Sequence, residues 1–257
     1  MTIPIAIEAK GLSKGFQQET GEVVQVLDGF NLTVKSGETV CIFGANGCGK
    51  TTLLGICGGI ENPDSGSITV LGAMAPHARV GYVPQAYGES LFPWMSLLDN
   101  VAFPLRVCGS GWNEARGQAA QLLQEFAPSL VATKYSYQYS GGQKQVSAVA
   151  RALVASPRLL IADEPFSALD HSARIAAQDV FVSLVDRLQL TVVAVTHDVK
   201  DAIYIADRVL IVSGPPLRVV DEVAVALPRP RPPSIRASAT FLSLVSRAID
   251  SFLAAQT

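Results

Sequence analysis

The run Gly44-Ala45-Asn46-Gly47-Cys48-Gly49-Lys50-Thr51 has the spacing G-x-x-x-x-G-K-[ST], with Thr52 directly after it. Each residue type in that pattern suits a phosphate. Glycines let backbone N–H groups curl around phosphate oxygens without a Cβ in the way. Lys50 brings a positive charge to the β- and γ-phosphates, and the Thr51 hydroxyl can ligate Mg²⁺. A helix opening near Lys50 adds the positive end of its dipole. Residues 44–52 therefore read as a nucleotide phosphate site.

A second element, Leu159-Leu160-Ile161-Ala162-Asp163-Glu164-Pro165, is an apolar strand that delivers two adjacent carboxylates at its carboxyl end. Open α/β sheets hold their ligands at that end. Asp163 is placed to hold Mg²⁺ through water, and Glu164 to polarise an attacking water. Between the two lies Ser140-Gly141-Gly142-Gln143 ahead of a helical run, another anion-binding helix start. One nucleotide needs one phosphate cradle per domain. A second cradle makes sense if it serves the γ-phosphate of a nucleotide held by another subunit.

The elements that must position these groups follow from periodicity. Glu38-Thr39-Val40-Cys41-Ile42-Phe43 is a buried-strand pattern leading into the glycine loop, and Lys50–Cys57 predicts the helix leaving it. From residue 159 the pattern alternates: strand 159–162, helix 173–188, strand 191–195, helix 199–206, strand 208–212. Strands alternating with helices imply a mostly parallel sheet. Upstream, Ile5-Ala6-Ile7, Val23-Val24-Gln25-Val26 and Asn31-Leu32-Thr33-Val34 predict short strands of an N-terminal antiparallel sheet, and Pro63-Asp64-Ser65-Gly66 a turn. Over about 87–139 alternation gives way to helical runs such as 114–126, which predicts a helical insertion; a further helix is expected over 143–153. The fold class is thus α/β, with one domain over 1–226 and a Pro/Arg-rich tail over 227–257 whose stretch 241–253 predicts a last amphipathic helix.

Bulk properties narrow the function. The net charge is −2 with both signs interspersed, which disfavours a nucleic-acid partner. Cys41, Cys48, Cys57 and Cys108 show no CxxC spacing, which argues against zinc and disulfides. Although 49% of residues are hydrophobic, no apolar run approaches the roughly 18–20 residues that span a bilayer. Met1-Thr2-Ile3-Pro4 lacks the features of a secretory signal, so a cytoplasmic location is expected.

Taken in order, these motifs resemble the ATPase domain of ABC transporters, a P-loop NTPase fold, over about residues 7–220. The loop 44–51 resembles the Walker A motif, 140–143 the signature, and 159–164 Walker B with its catalytic glutamate. Gln85 stands as the Q-loop residue, Ser167-Ala168-Leu169-Asp170 as the D-loop, and His197 as the switch histidine. Phe16 occupies the place of the adenine-stacking tyrosine. The resemblance implies ATP and Mg²⁺ as cofactors, with Thr51, Gln85 and Asp163 at the metal and Glu164, His197, Gln85 and Lys50 in catalysis. It implies a head-to-tail homodimer in which each ATP lies between one copy's Walker A and the other's signature. The insertion would pass the movement of that dimer to a membrane permease.

Finer features resemble the nitrate/sulfonate/taurine importers: Leu91-Phe92-Pro93-Trp94-Met95-Ser96-Leu97-Leu98-Asp99-Asn100-Val101, the run 164–170, and Leu-Pro-Arg-Pro-Arg at 227–231. Such a chain works at the cytoplasmic face of the inner membrane, with permease subunits and an extracytoplasmic solute-binding protein. The other classes are a soluble ABC ATPase acting on nucleic acid and the detached ATPase of an exporter. Tyr139 replaces the usual leucine of the signature, and Val146 a usual arginine. Cys48, beside Lys50 at a helix start, has the sequence setting of a reactive thiol. His77 and His171 are expected at the surface.

Overall fold

The structure, a computed structural model, describes residues 3–74 and 80–255. Chain order runs β1 (Ile5–Gln17), β2 (Val23–Lys35), β3 (Thr39–Gly44), α1 (Lys50–Cys57), β4 (Ser65–Val70), β5 (Ala73–Met74) and β6 (Gly81–Val83). It continues with α2 (Tyr87–Ser90), α3 (Leu97–Val107), α4 (Trp112–Phe126), α5 (Gly141–Leu153), β7 (Leu159–Asp163) and α6 (His171–Leu188). The last elements are β8 (Thr191–Thr196), α7 (Val199–Ile205), β9 (Arg208–Ser213), β10 (Arg218–Ala224) and α8 (Ala239–Ala254).

Two sheets share the strands. One is antiparallel, in the order β2-β1-β4-β5; the other has the order β10-β9-β3-β8-β7-β6 and is parallel except for the edge strand β10. The parallel strands are buried on both faces, so their sequences are continuously apolar. Side chains still alternate along them. Val40, Ile42, Ile161 and Val193 point into a core shared with Leu53, Leu54 and Ile56 of α1 and with Ile7, Leu12 and Leu32 of the antiparallel sheet. Cys41, Phe43, Leu160 and Ala194 point the other way, onto Phe181, Ile203 and Val245. Helix α1 is thereby wedged between the two sheets, which fixes the loop that precedes it.

The insertion is a helical arm: α3 and α4 pack on each other and on α5, whose far end returns to β6. Ser96 caps α3 by accepting the Asp99 N–H at 3.1 Å. Asn100 is buried and ties down the preceding loop, accepting from the Phe92 N–H (2.7 Å) and donating to the carbonyls of Phe92, Met95 and Ser96. This wiring leaves Trp94 70% exposed with its ring stacked on Phe92.

Several expectations need correction. The short N-terminal strands are two 13-residue strands of one hairpin, with register shifts where Gly11 and Gly15 interrupt the alternation. Ser65 and Gly66, expected in a turn, begin β4; Asp64 alone bends, its carboxylate accepting from the Gly15 N–H at 2.8 Å. The stretch set apart as a tail lies on the parallel sheet, and Leu227, Ile235, Phe241 and Val245 join the core there. His171 is exposed as expected, while His77 lies outside the described residues.

Candidate functional site

The carboxyl ends of β3, β7 and β8 lie side by side, because these strands pair in parallel register: Phe43 opposite Thr196 and Asp163 opposite Val195. The phosphate loop, the two carboxylates and His197 leave the sheet from that one edge. Gly44 ends β3 where a Cβ would sit 2.5 Å from the Val212 carbonyl oxygen, so no larger residue fits. At Gly49, φ is +109° and a Cβ would lie 2.6 Å from Val26 Cγ1. Helix α1 then begins with no side-chain cap and no acid in its first turn, so its leading N–H groups have no side-chain acceptor.

Lys50 is buried. Its ammonium donates to the carbonyls of Gly44 (2.9 Å) and Ala45 (2.6 Å) and lies 4.0 Å from Cys48 Sγ, which holds it across the loop. The Thr51 hydroxyl donates to Asp163 Oδ2 at 2.7 Å. Burial pushes the Asp163 carboxyl above the usual carboxylate range; the charge of Glu164 adds to this, while the Thr51 bond and Lys50 oppose it.

Glu164 adopts φ +53°, a left-handed backbone uncommon outside glycine. The bend sends its N–H to the Val195 carbonyl at 3.0 Å and its carboxylate toward His197, with Oε1 2.8 Å from Nδ1. Glu164 is 6% exposed, whereas the His197 side chain is 56% exposed. A cavity of about 370 Å³ collects Phe16, Asn46, Gly47, Gly49, Lys50, Thr51, Thr52, Gln85, Asp163 and Glu164. The half-exposed ring of Phe16, near the end of β1, forms one wall, and Lys14 Nζ lies 5.5 Å from its centroid.

Three residues of the phosphate pattern do not line this cavity. Gly44 and Ala45 serve it through the carbonyls that hold Lys50. Cys48 is 1% exposed, packed in the core with Leu53 and Val26's neighbour Leu27. The expectation of a reactive thiol is therefore overturned by burial, and the Cys48 side chain meets the site only from within, with Sγ 4.0 Å from Lys50 Nζ.

The signature residues do not join the phosphate cavity. Ser140 caps α5 in a reciprocal box: its Oγ accepts from the Gln143 N–H and its N–H donates to Gln143 Oε1. Ser140, Gly141, Gly142 and Gln143 open on a different cavity of about 750 Å³, shared with Leu130, Val146, Leu169 and Val180. Gly142 has to be small, since a Cβ would lie 2.8 Å from Leu169 Cδ2. Tyr139 is buried, and its hydroxyl donates to the Val131 carbonyl, so the substitution fastens the loop after α4 to the head of α5. Val146, half-buried against the core, lines the same cavity where the family usually has an arginine.

The reading of the sequence missed Gln145. It is fully buried in α5 and donates to the Glu164 carbonyl at 2.6 Å. Only its place three residues from the apolar pair Ala148 and Val149, on the buried side of the helix, could have betrayed it.

Comparison with known proteins agrees with this geometry. The family model described as ABC transporter matches residues 27–167. The nitrate import ATP-binding protein NrtD of Synechocystis sp. is 37% identical over 224 residues, covering 86% of this chain and 83% of that one. The aliphatic sulfonates import ATP-binding protein SsuB 2 of Burkholderia cenocepacia is 39% identical over 230 residues, covering 88% and 82%. Among solved structures, the dimeric post-hydrolysis state of the ATP-binding cassette MJ0796 bound to ADP and Pi superimposes with a TM-score of 0.76 at 28% identity, over 86% of this chain and 99% of that one. A glycine cradle, a buried lysine and a paired glutamate and histidine, on a chain matched this widely, place it in the ABC transporter family as one of its ATP-hydrolysing nucleotide-binding chains.

Proposed function

We propose that this chain is the motor subunit of an importer for a small anion of the nitrate or sulfonate kind, working at the cytoplasmic face of the inner membrane. The observation that carries the reading is the division of the site. Phosphate cradle, metal-suited oxygens and Glu164 share one cavity, while the signature opens on another. A chain so divided completes its site with a second copy, head to tail, each signature covering the other's γ-phosphate.

Within one half-site the roles follow from position. Phe16 stacks on adenine. Lys50 and the free N–H groups at the head of α1 bind phosphate oxygens. Thr51, Asp163 and Gln85 offer hard oxygen donors that fit Mg²⁺, and the buried Asp163 carboxyl gains by meeting a cation. Bound there, Mg²⁺ would neutralise charge on the β- and γ-phosphates. Glu164 accepts a proton from the attacking water, and His197, bonded to the same carboxylate, fixes its direction. Ser140 and the N–H groups of Gly141 and Gly142 face the γ-phosphate held by the partner.

The importer reading rests on the relatives and on the arm. Among the described residues no helix is long and apolar enough to cross a membrane. The relatives named as import ATP-binding proteins support a permease as the partner that supplies the path. The exposed Trp94, stacked on Phe92 and braced through Asn100, offers that permease a rigid apolar contact. An extracytoplasmic solute-binding protein would deliver the cargo. Affinity capture of the tagged chain from detergent-extracted membranes, as wild type and as Trp94→Ala, tests this. Recovery of a multispanning permease with the wild type, reduced about tenfold with Trp94→Ala, is expected. Recovery of nucleic acid with no permease would overturn the transport reading and leave the ATPase.

A further inference from the structure

We propose that Gln145 is a positioning residue for hydrolysis, holding the main chain of Glu164 in the same chain. The inference rests on the reading of Glu164 as the group that activates water, and it deepens that reading. Glu164 is the residue at which the chain takes its left-handed bend, so the direction of its carboxylate depends on what fixes that bend. The Val195 carbonyl fixes the N–H side, at 3.0 Å. On the carbonyl side the shortest bond comes from Gln145, whose Nε2 donates at 2.6 Å; the Ser167 hydroxyl and N–H add bonds at 3.2 and 3.3 Å. The same Gln145 amide accepts the Ala168 N–H at 2.9 Å and lies 3.3 Å from Ser167 Oγ. One side chain thus pins both ends of the turn 164–168.

Glutamine suits the task. The turn offers a carbonyl and an N–H that both face the interior, and a neutral amide has a donor and an acceptor for them. A carboxylate or an ammonium could serve only one. Gln145 is also fully buried on α5, the helix whose head carries the signature. The helix that would face the partner's nucleotide is therefore the one that braces this chain's own glutamate. A small misplacement of a reacting group lowers rate by up to about 100-fold while leaving substrate binding intact.

The test separates bracing in the same chain from damage to the signature. Two differently tagged full-length chains are co-expressed and mixed dimers isolated, with the wild-type and Glu164→Gln pair as control. In one arm Gln145→Met and Glu164→Gln sit in the same chain beside a wild-type partner; in the other they sit in opposite chains. Bracing in the same chain keeps the first arm within about twofold of control and lowers ATP turnover in the second by about tenfold or more. A first arm that falls, or equal falls in both, overturns the proposal, since damage to α5 would strike the partner's site. If the control yields no mixed dimer, the dimer reading fails by itself. The uniform Gln145→Met chain then decides: reduced kcat at unchanged ATP affinity sustains the bracing role, and unchanged kcat overturns it. Gln145→Glu, which keeps the acceptor for Ala168 but loses the donor to Glu164, is expected to follow Gln145→Met if that variant fails to fold.

Discussion

At the scale of single residues, the site divides into groups that bind and groups that turn over. Phe16 is half-exposed in the lining of the phosphate cavity, where an adenine ring would cover it. Removing its ring takes away stacking alone. Phe16→Ala should raise the ATP KM about 3- to 10-fold and leave kcat nearly unchanged, as read from steady-state kinetics. The residues proposed to act on phosphate stand out in the sequence because their chemistry tolerates few alternatives. Only glycine fits beside Val212 and Val26, and only a short acid at the end of β7 reaches Thr51. Gln145 was not legible: a glutamine inside a helix usually faces water, and only tertiary packing turns this one inward. Cys48 erred the other way, since its neighbours in sequence suggest reactivity while its side chain lies in the core.

Among elements, the strands β3, β7, β8 and β9 and the helix α1 matched their expected ranges within a residue or so. Buried parallel strands are uniformly apolar and end at sharp chemical boundaries, which makes them easy to read. Strands β4, β5, β6 and β10 were missed because they are short, polar or at sheet edges, where one face is in water and alternation carries little contrast. The head of α5 shows how an element can carry a departure from family pattern. Tyr139 replaces a leucine, yet its ring stays buried and its hydroxyl reaches the Val131 carbonyl. Tyr139→Phe should lower stability by about 1 kcal/mol in urea unfolding, with ATP affinity unchanged. A larger loss confined to turnover would mean that the hydroxyl serves the signature and not the loop.

Across the whole molecule, polar groups link the C-terminal segment to the active edge of the sheet. Arg236 bonds Gln178 at 3.1 Å, Gln178 donates to Asp201 at 2.7 Å, and Arg174 pairs with Asp198 beside His197 at 3.2 Å. Burial, and then the charge of Asp198, pushes Asp201 up to about 6, opposed by Gln178 and Arg174. Because the folded value lies above that of the free side chain, Asp201 favours the folded state while protonated. That contribution is complete below about pH 4 and is lost as pH rises through about 6, and it is worth on the order of 1–3 kcal/mol. Asp201→Asn keeps the acceptor for Gln178 and cannot ionise. Its stability should therefore change less than the wild type's between pH 4 and 7, measured by denaturant titration at each pH. A parallel pH dependence in the two proteins would assign the effect to other groups.

The composite site made by two copies, with Glu164 as the group that drives hydrolysis, is tested most directly by the fate of ATP on Glu164→Gln. The full-length variant is incubated with MgATP, desalted, and its bound nucleotide and mass are measured beside wild type. The amide keeps the shape of the carboxylate but cannot accept the proton of water, so hydrolysis should fall by about 100-fold or more. ATP should remain bound, one per chain, in a particle with the mass of two chains. Turnover within about twofold of wild type, or intact ATP retained on single chains, would contradict it.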